Sequence, residues 1–200
     1  MNDEPPSSLA ESQRLGITKK IKEKIREIYQ NFSYKPQSKQ EIAGSIRDSS
    51  NRGVLEKGTL RMMEGALKVS TAQVREIMIP KPQIIFVDSS EEPEEFLPRI
   101  IRSRHSRFPV FNKETEKIEG ILLAKDLLPL LSPKNKAKLE LRNLLRPAVL
   151  VPESKKLNTL LDEFRASRNH MAIVIDEYGG ITGLVTIEDV LEEIVGEIED

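Results

Sequence analysis

Two hundred residues make room for one medium domain or two small ones. A hydrophobic share of 38% supports a core and a charged share of 32% keeps the surface solvated. A net charge of −1 gives no basic excess for a general nucleic-acid or membrane-surface binder, so direct nucleic-acid binding is not expected. The absence of cysteine rules out disulfides and thiolate metal sites. The two histidines, His105 and His170, are too few for a multi-histidine metal centre.

Residues 1–16 are rich in Ser, Pro and Glu and read as a disordered tail. Over residues 17–32, Ile17, Ile21, Ile25, Ile28, Tyr29 and Phe32 fall near one face of a helix whose other face is Lys and Glu. Two further helices are predicted at about 38–48 and 56–70, the second striped by Leu60, Met63 and Leu67. Residues 17–73 thus read as a helical arm.

From residue 74 the texture becomes α/β. The segment Val74 to Pro80 leads into an apolar run, Ile84 to Val87. A helix at 91–103 follows, with Phe96, Leu97, Ile100 and Ile101 on one face. Strands at 108–111 and 118–123 and a short helix at 125–131 complete the unit, which spans residues 74–135. A polar linker is placed at 136–144.

Residues 145–200 then repeat the order. The predicted elements are a strand at 149–151, a helix at 155–167, and strands at 171–175 and 181–186. A final helix is striped by Val190, Leu191, Ile194, Val195 and Ile198. The glycines of Asp176-Glu-Tyr-Gly-Gly180 suit a hairpin turn. Gly120 to Asp126 matches Gly183 to Asp189 at a spacing of 63 residues, and Val87 matches Val151 at 64. Each half is too small to stand comfortably alone, so the two are expected to pair through their sheets around a cleft with pseudo-twofold symmetry.

The longest apolar stretch, around 121–131, is broken by Lys125, Asp126 and Pro129, whereas a bilayer span needs about 20 apolar residues. The acidic N-terminus has no apolar core of the kind a signal peptide carries. The expectation is a cytoplasmic protein with no membrane span, which can affect transport only without being the pore.

Chemistry concentrates at two junctions. In the second half Thr186 stands where a helix begins, and free N–H groups there favour a phosphate. Asp189, three residues on, would repel a phosphate but accept the hydroxyls of a ribose. The same Thr-x-x-Asp pattern is also a capping box, which needs no ligand. The first half has Leu123 in place of the threonine and keeps only Asp126. Beside these junctions, His105-Ser-Arg-Phe-Pro-Val110 is the other candidate. Arg107 could reach a phosphate in the cleft, and the backbone of Phe108 and Pro109 could line an adenine pocket. An exposed arginine and an ordinary core explain the same residues. Nothing supplies a base, a nucleophile and a phosphate clamp together, so no enzyme is expected.

These segments, with Val74-Arg-Glu-Ile-Met-Ile-Pro80 and His170 through Asp200, resemble a tandem pair of CBS domains, or Bateman module. More narrowly they resemble the CorC/HlyC family of magnesium and cobalt efflux proteins, over about residues 38–200. The resemblance implies a fold of two strand-helix-strand-strand-helix repeats behind a helical arm. It implies AMP or ATP, the latter as a magnesium complex, in the inter-repeat cleft, with Thr186 and Asp189 on the family's nucleotide motif. Asp126 matches that motif in part, and Ser106 and Arg107 face the same cleft. It also implies a homodimer that regulates a magnesium or cobalt transport system. The alternative is a scaffold with a vestigial cleft, docking through residues 17–70, where Lys19, Lys20, Lys22 and Lys24 cluster, to a membrane or ribonucleoprotein partner.

Overall fold

The structure, a computed structural model, describes residues 38–131 and 141–196. The expected tail, the helix at 17–32 with its lysines, residues 136–140 of the linker and Ile198 lie outside the described residues. Contacts divide the chain into two units, residues 1–45 and 46–200. Helix α1 (Lys39–Asn51) begins in the first unit, where the Ser38 hydroxyl caps it by accepting from the Glu41 N–H at 3.2 Å.

Within the second unit, α2 (Lys57–Val69) half-buries Leu60 and Leu67 of the predicted stripe, but Met63, with Met62 beside it, is exposed and packs in no core. Its last residue, Val69, and Ala72 just beyond it belong to the buried core of the second repeat. The first repeat runs through β1 (Ile79–Pro80), β2 (Val87–Asp88), α3 (Pro93–Ser103), β3 (Arg107–Asn112) and β4 (Lys117–Leu123) to a 3-10 helix at Ala124–Leu131. The second runs through β5 (Val149–Pro152), α4 (Leu157–Ser167), β6 (Met171–Ile175), β7 (Ile181–Thr186) and α5 (Ile187–Val195). Pro93 at the start of α3 supplies a preset φ, and Glu94 and Glu95 face the positive end of the helix dipole.

The repeat read in the sequence is a repeat of hydrogen bonds. β2 lies parallel to β3, which is antiparallel to β4; β5 lies parallel to β6, which is antiparallel to β7. A bulge falls between Val110 and Phe111 in one half and between Val174 and Ile175 in the other, at the repeat spacing. The apolar run at 84–87 forms a strand only at its end, where Val87 pairs with Val110; Ile84 and Ile85 turn aside. The short helix expected at 125–131 is a 3-10 helix. The linker contains a further 3-10 helix, Leu141–Leu144, and Leu141 and Leu144 pack on the first repeat's core.

The halves exchange edges. β1, from the first repeat's leading segment, pairs antiparallel with β7, placing Ile79 opposite Leu184. Reciprocally, Arg146 from the second repeat's leading segment bridges Ile121. Ile121, Ile173 and Leu184 then bury together as the seam between the sheets. Each half keeps its own core besides, centred on Phe96 and Phe108 in the first and on Leu157, Leu160 and Phe164 in the second. Burying one such side chain contributes about 1.5–3 kcal/mol.

Candidate functional site

Beside the seam lies a cleft of about 310 Å³, open to solvent on one side. One wall is the turn from α3 into β3, Arg104 to Pro109. Opposite stand the end of β7 and the start of α5, with Leu184, Thr186 and Glu188. Ile79, Ile84, Ile85 and Met171 supply apolar surface. That volume lies within the range of small-molecule sites, and a mainly apolar wall with a few polar groups is their usual make-up.

Of the residues predicted from sequence, Ser106, Arg107, Phe108, Pro109 and Thr186 line this cleft together. The Phe108 side chain is buried in the first repeat's core, so its main chain is what it can offer a ligand. Asp189 stands one layer back from the wall. Its Oδ2 accepts from the Thr186 N–H at 2.7 Å and from the Thr186 hydroxyl at 2.8 Å, while Thr186 Oγ1 accepts from the Asp189 N–H at 3.2 Å. This is the full capping box. The box fixes the threonine at the mouth of α5, so capping and ligand contact are compatible roles for it. Asp126 stands apart from this wall and is ion-paired to Arg146 at 3.4 Å.

The charges in the cleft are arranged around Glu188. Its Oε1 lies 3.9 Å from the Arg107 guanidinium and 3.4 Å from His170 Nδ1. Arg107 therefore faces an acid in the cleft. At 3.9 Å and partly exposed, that contact is weak enough for a phosphate to replace. Among the described residues no cluster of three or more His, Asp or Glu side chains could hold a metal ion.

Several wall residues escaped the sequence reading. Arg104, in the wall, closes α3 with φ of 59°; its repeat copy Arg168, outside this wall, closes α4 with φ of 57°. They stand 64 residues apart, so the repeat spacing was the signal that could have paired them. Ile79, Ile84 and Ile85 enter because the leading segment crosses to the other half's sheet, which no local pattern announces.

Residues 74–132 and 141–196 each match the CBS domain family. The chain belongs to the CBS-domain family. Residues 34–69 match a second family, described as the N-terminal region of NMB0537. Over 171 residues the chain is 48% identical to the magnesium and cobalt efflux protein CorC of Escherichia coli K12, covering 86% of this chain and 58% of CorC. These CBS repeats are thus of the CorC kind, and the chain spans less than two thirds of the length of that relative.

Among solved structures, the CBS domain of the bacterial CNNM/CorC family Mg²⁺ transporter matches with a TM-score of 0.73 at 34% identity, over 82% of this chain and all of that one. The same domain in complex with ATP matches with a TM-score of 0.64 at 38% identity, over 69% of this chain and 97% of that one. A CBS-domain pair with bound AMP from Klebsiella pneumoniae matches with a TM-score of 0.56 at 30% identity, over 62% of this chain and 99% of that one. Among the described residues no helix is long and apolar enough to cross a membrane.

Proposed function

We propose that this chain is a regulatory module that binds an adenine nucleotide, AMP or ATP, in the cleft beside Thr186, and that its occupancy controls a magnesium or cobalt transport system. The observation that carries this reading is the division of the cleft. Arg104, Arg107 and the mouth of α5 form a cationic, N–H-rich end suited to phosphate. Ile79, Ile84, Ile85 and Met171 form an apolar end suited to a base. The ATP- and AMP-bound relatives support the choice of nucleotide.

Asp189, held behind Thr186, is the group assigned to the ribose. Glu188 sets the charge requirement. A longer phosphate chain brings more negative charge toward this carboxylate, so ATP enters best as its magnesium complex. Filling the cleft changes how the two halves meet at the seam, and a ligand can bias that arrangement only by binding one form more tightly. A homodimer in the cytoplasm, docked on the transport system, is the assembly this function calls for. The reading assigns no catalysis.

The test is the thermal stability of the full chain with AMP, ADP, ATP and Mg-ATP, for wild type, Thr186→Ala and Asp189→Ala. At a hundredfold excess over Kd the nucleotide adds about 2.7 kcal/mol to the wild type. Each variant also loses the cap, about 1 kcal/mol, so the quantity to compare is the ligand-induced rise. A rise in wild type that vanishes in both variants supports the reading; equal rises in all three, or none in wild type, sink it.

A further inference from the structure

The two repeats fasten their leading strands differently. In the second, β5 pairs with β6 from Val149 onward, and Leu150 stands opposite Ile173. The copies of Val149, Leu150 and Ile173, 64 residues earlier, are Ile85, Phe86 and Pro109. There the ladder begins only at Val87, opposite Val110.

Pro109 is the cause. Its partner on β4, Ile121, gives both its N–H and its carbonyl to Arg146, so the main-chain groups of Pro109 point the other way, toward β2. A proline has no N–H to give there. A pairing of Phe86 with Pro109 therefore cannot close, and the strand comes away from the sheet. The Ile84 N–H turns back to the Lys81 carbonyl at 3.2 Å instead. The detached stretch is the part that borders the cleft, through Gln83, Ile84 and Ile85.

A side chain takes the place of the ladder. Arg99 of α3 donates to the Phe86 carbonyl at 3.3 Å. Its guanidinium is held in turn by the two carboxylate oxygens of Glu91, at 3.2 Å and 2.5 Å, a bidentate contact that fixes the direction of the fork. The second repeat keeps this ion pair but reverses it. Lys155 stands for Glu91 and Glu163 for Arg99, and Lys155 Nζ meets the Glu163 carboxylate at 2.7 Å and 2.6 Å. A carboxylate on the helix has no proton to give a strand carbonyl. None is needed, because β5 is already in its ladder. An ion pair that only pinned the helix would serve in either polarity. The polarity found beside the proline is the one that supplies a donor.

We propose that Arg99 is a positioning residue for the cleft. Through the Phe86 carbonyl it fixes Ile84 and Ile85 at the apolar end assigned to the base, while Arg99 itself does not line the cleft. The proposal rests on the nucleotide reading of that cleft.

The test exchanges the pair. Glu91→Lys with Arg99→Glu imports the second repeat's polarity and removes the donor; Lys155→Glu with Glu163→Arg is the mirror control. Hydrogen exchange of the ligand-free full chain is followed over residues 83–87, and calorimetry compares AMP with ribose 5-phosphate, which lacks the base. In the first double variant residues 83–87 exchange faster while α3 and β3 do not. AMP weakens about tenfold through lost preorganisation, and ribose 5-phosphate binds as it does to wild type. The mirror variant matches wild type throughout. Arg99→Lys, which keeps the charge but not the fork, gives the first pattern at smaller size and serves if the double variant does not fold. Unchanged exchange over 83–87, faster exchange with AMP affinity intact, an equal loss of ribose 5-phosphate, or an equal loss in the mirror variant each overturns the proposal. Failure of the nucleotide reading looks different: wild type then takes no AMP, and the role toward the base falls with it, while hydrogen exchange still decides whether Arg99 holds the wall.

Discussion

The two repeats share strand order, hairpin register and bulge, yet they are held together differently. Among the described residues the second repeat gathers eleven buried residues in its core cluster, three of them lent from elsewhere: Val69 and Ala72 by the chain ahead of the first repeat and Val74 by that repeat's first residue. The first repeat's cluster has seven. That half adds polar clamps its partner lacks. Asp88, buried at the end of β2, accepts from the Ser90 N–H at 3.0 Å and hydroxyl at 2.8 Å and pairs with Lys113 at 3.1 Å. Glu119 accepts from the Asn112 amide at 3.0 Å and faces Arg142 at 3.5 Å. The second repeat has Pro152 and Thr182 at these positions. Similar backbones are thus reached through unequal shares of apolar burial and charge.

The sharpest way to break the comparison is to empty each core in turn. Phe96→Ala and Phe164→Ala each remove a buried ring and should cost about 3–5 kcal/mol. The seam through Ile121, Ile173 and Leu184 predicts that either change lowers one shared urea transition. Two separated transitions would show that the halves fold independently.

Next come the crossings between halves. A Cβ on Gly183 would lie 2.6 Å from the Ile79 carbonyl oxygen, and one on Gly120 would lie 2.7 Å from that of Arg146. These are copies of one contact, where the other half's leading segment passes over a strand. Gly120→Val and Gly183→Val should each cost about 1–3 kcal/mol by overpacking. Gly183 faces a two-residue strand and Gly120 a single bridge, so the loss should be larger at Gly183.

The same crossings mark how far the sequence was legible. Strands 171–175 and 181–186 were read to the residue because a β-branched run, a glycine turn and a second run are local signals. β1 was not, because it is two residues long, includes Pro80 and meets Leu184, a partner about a hundred residues away. The run Ile84 to Val87 was read as strand from its composition, but only Val87 and Asp88 find a partner, and Ile84 and Ile85 serve the cleft. In the site, Thr186 and Arg107 stood out by residue type. Nothing in the type of Arg104 sets it apart from other exposed arginines.

A smaller effect should appear in acid. Hydrogen bonding from the Ser90 N–H holds the Asp88 carboxyl below its ordinary value against the opposing effect of burial, and the Asn112 amide does the same for Glu119. Both groups bind protons less readily folded than unfolded. Their stabilisation is therefore complete above the ordinary carboxylate range, near about pH 4, and fades as pH falls through it. Hydrogen exchange between about pH 5 and pH 3 should show the first repeat loosening before the second. Asp88→Asn should flatten that dependence; an unchanged profile would remove the clamp from the account.

The smallest expected change tests whether Arg104 is in place for folding or for the cleft. At φ of 59° an arginine carries backbone strain that glycine does not. Arg104→Gly leaves the exposed end of α3 with its natural terminating residue, so stability should hold or rise by up to about 1 kcal/mol. If Arg104 serves a phosphate in the cleft, the same change should weaken Mg-ATP several-fold while the melting temperature of the ligand-free protein does not fall. Stability and binding moving in opposite directions would assign the strain to function. A fall in both would make Arg104 a structural cap, and the cleft would be left with Arg107 as its cation.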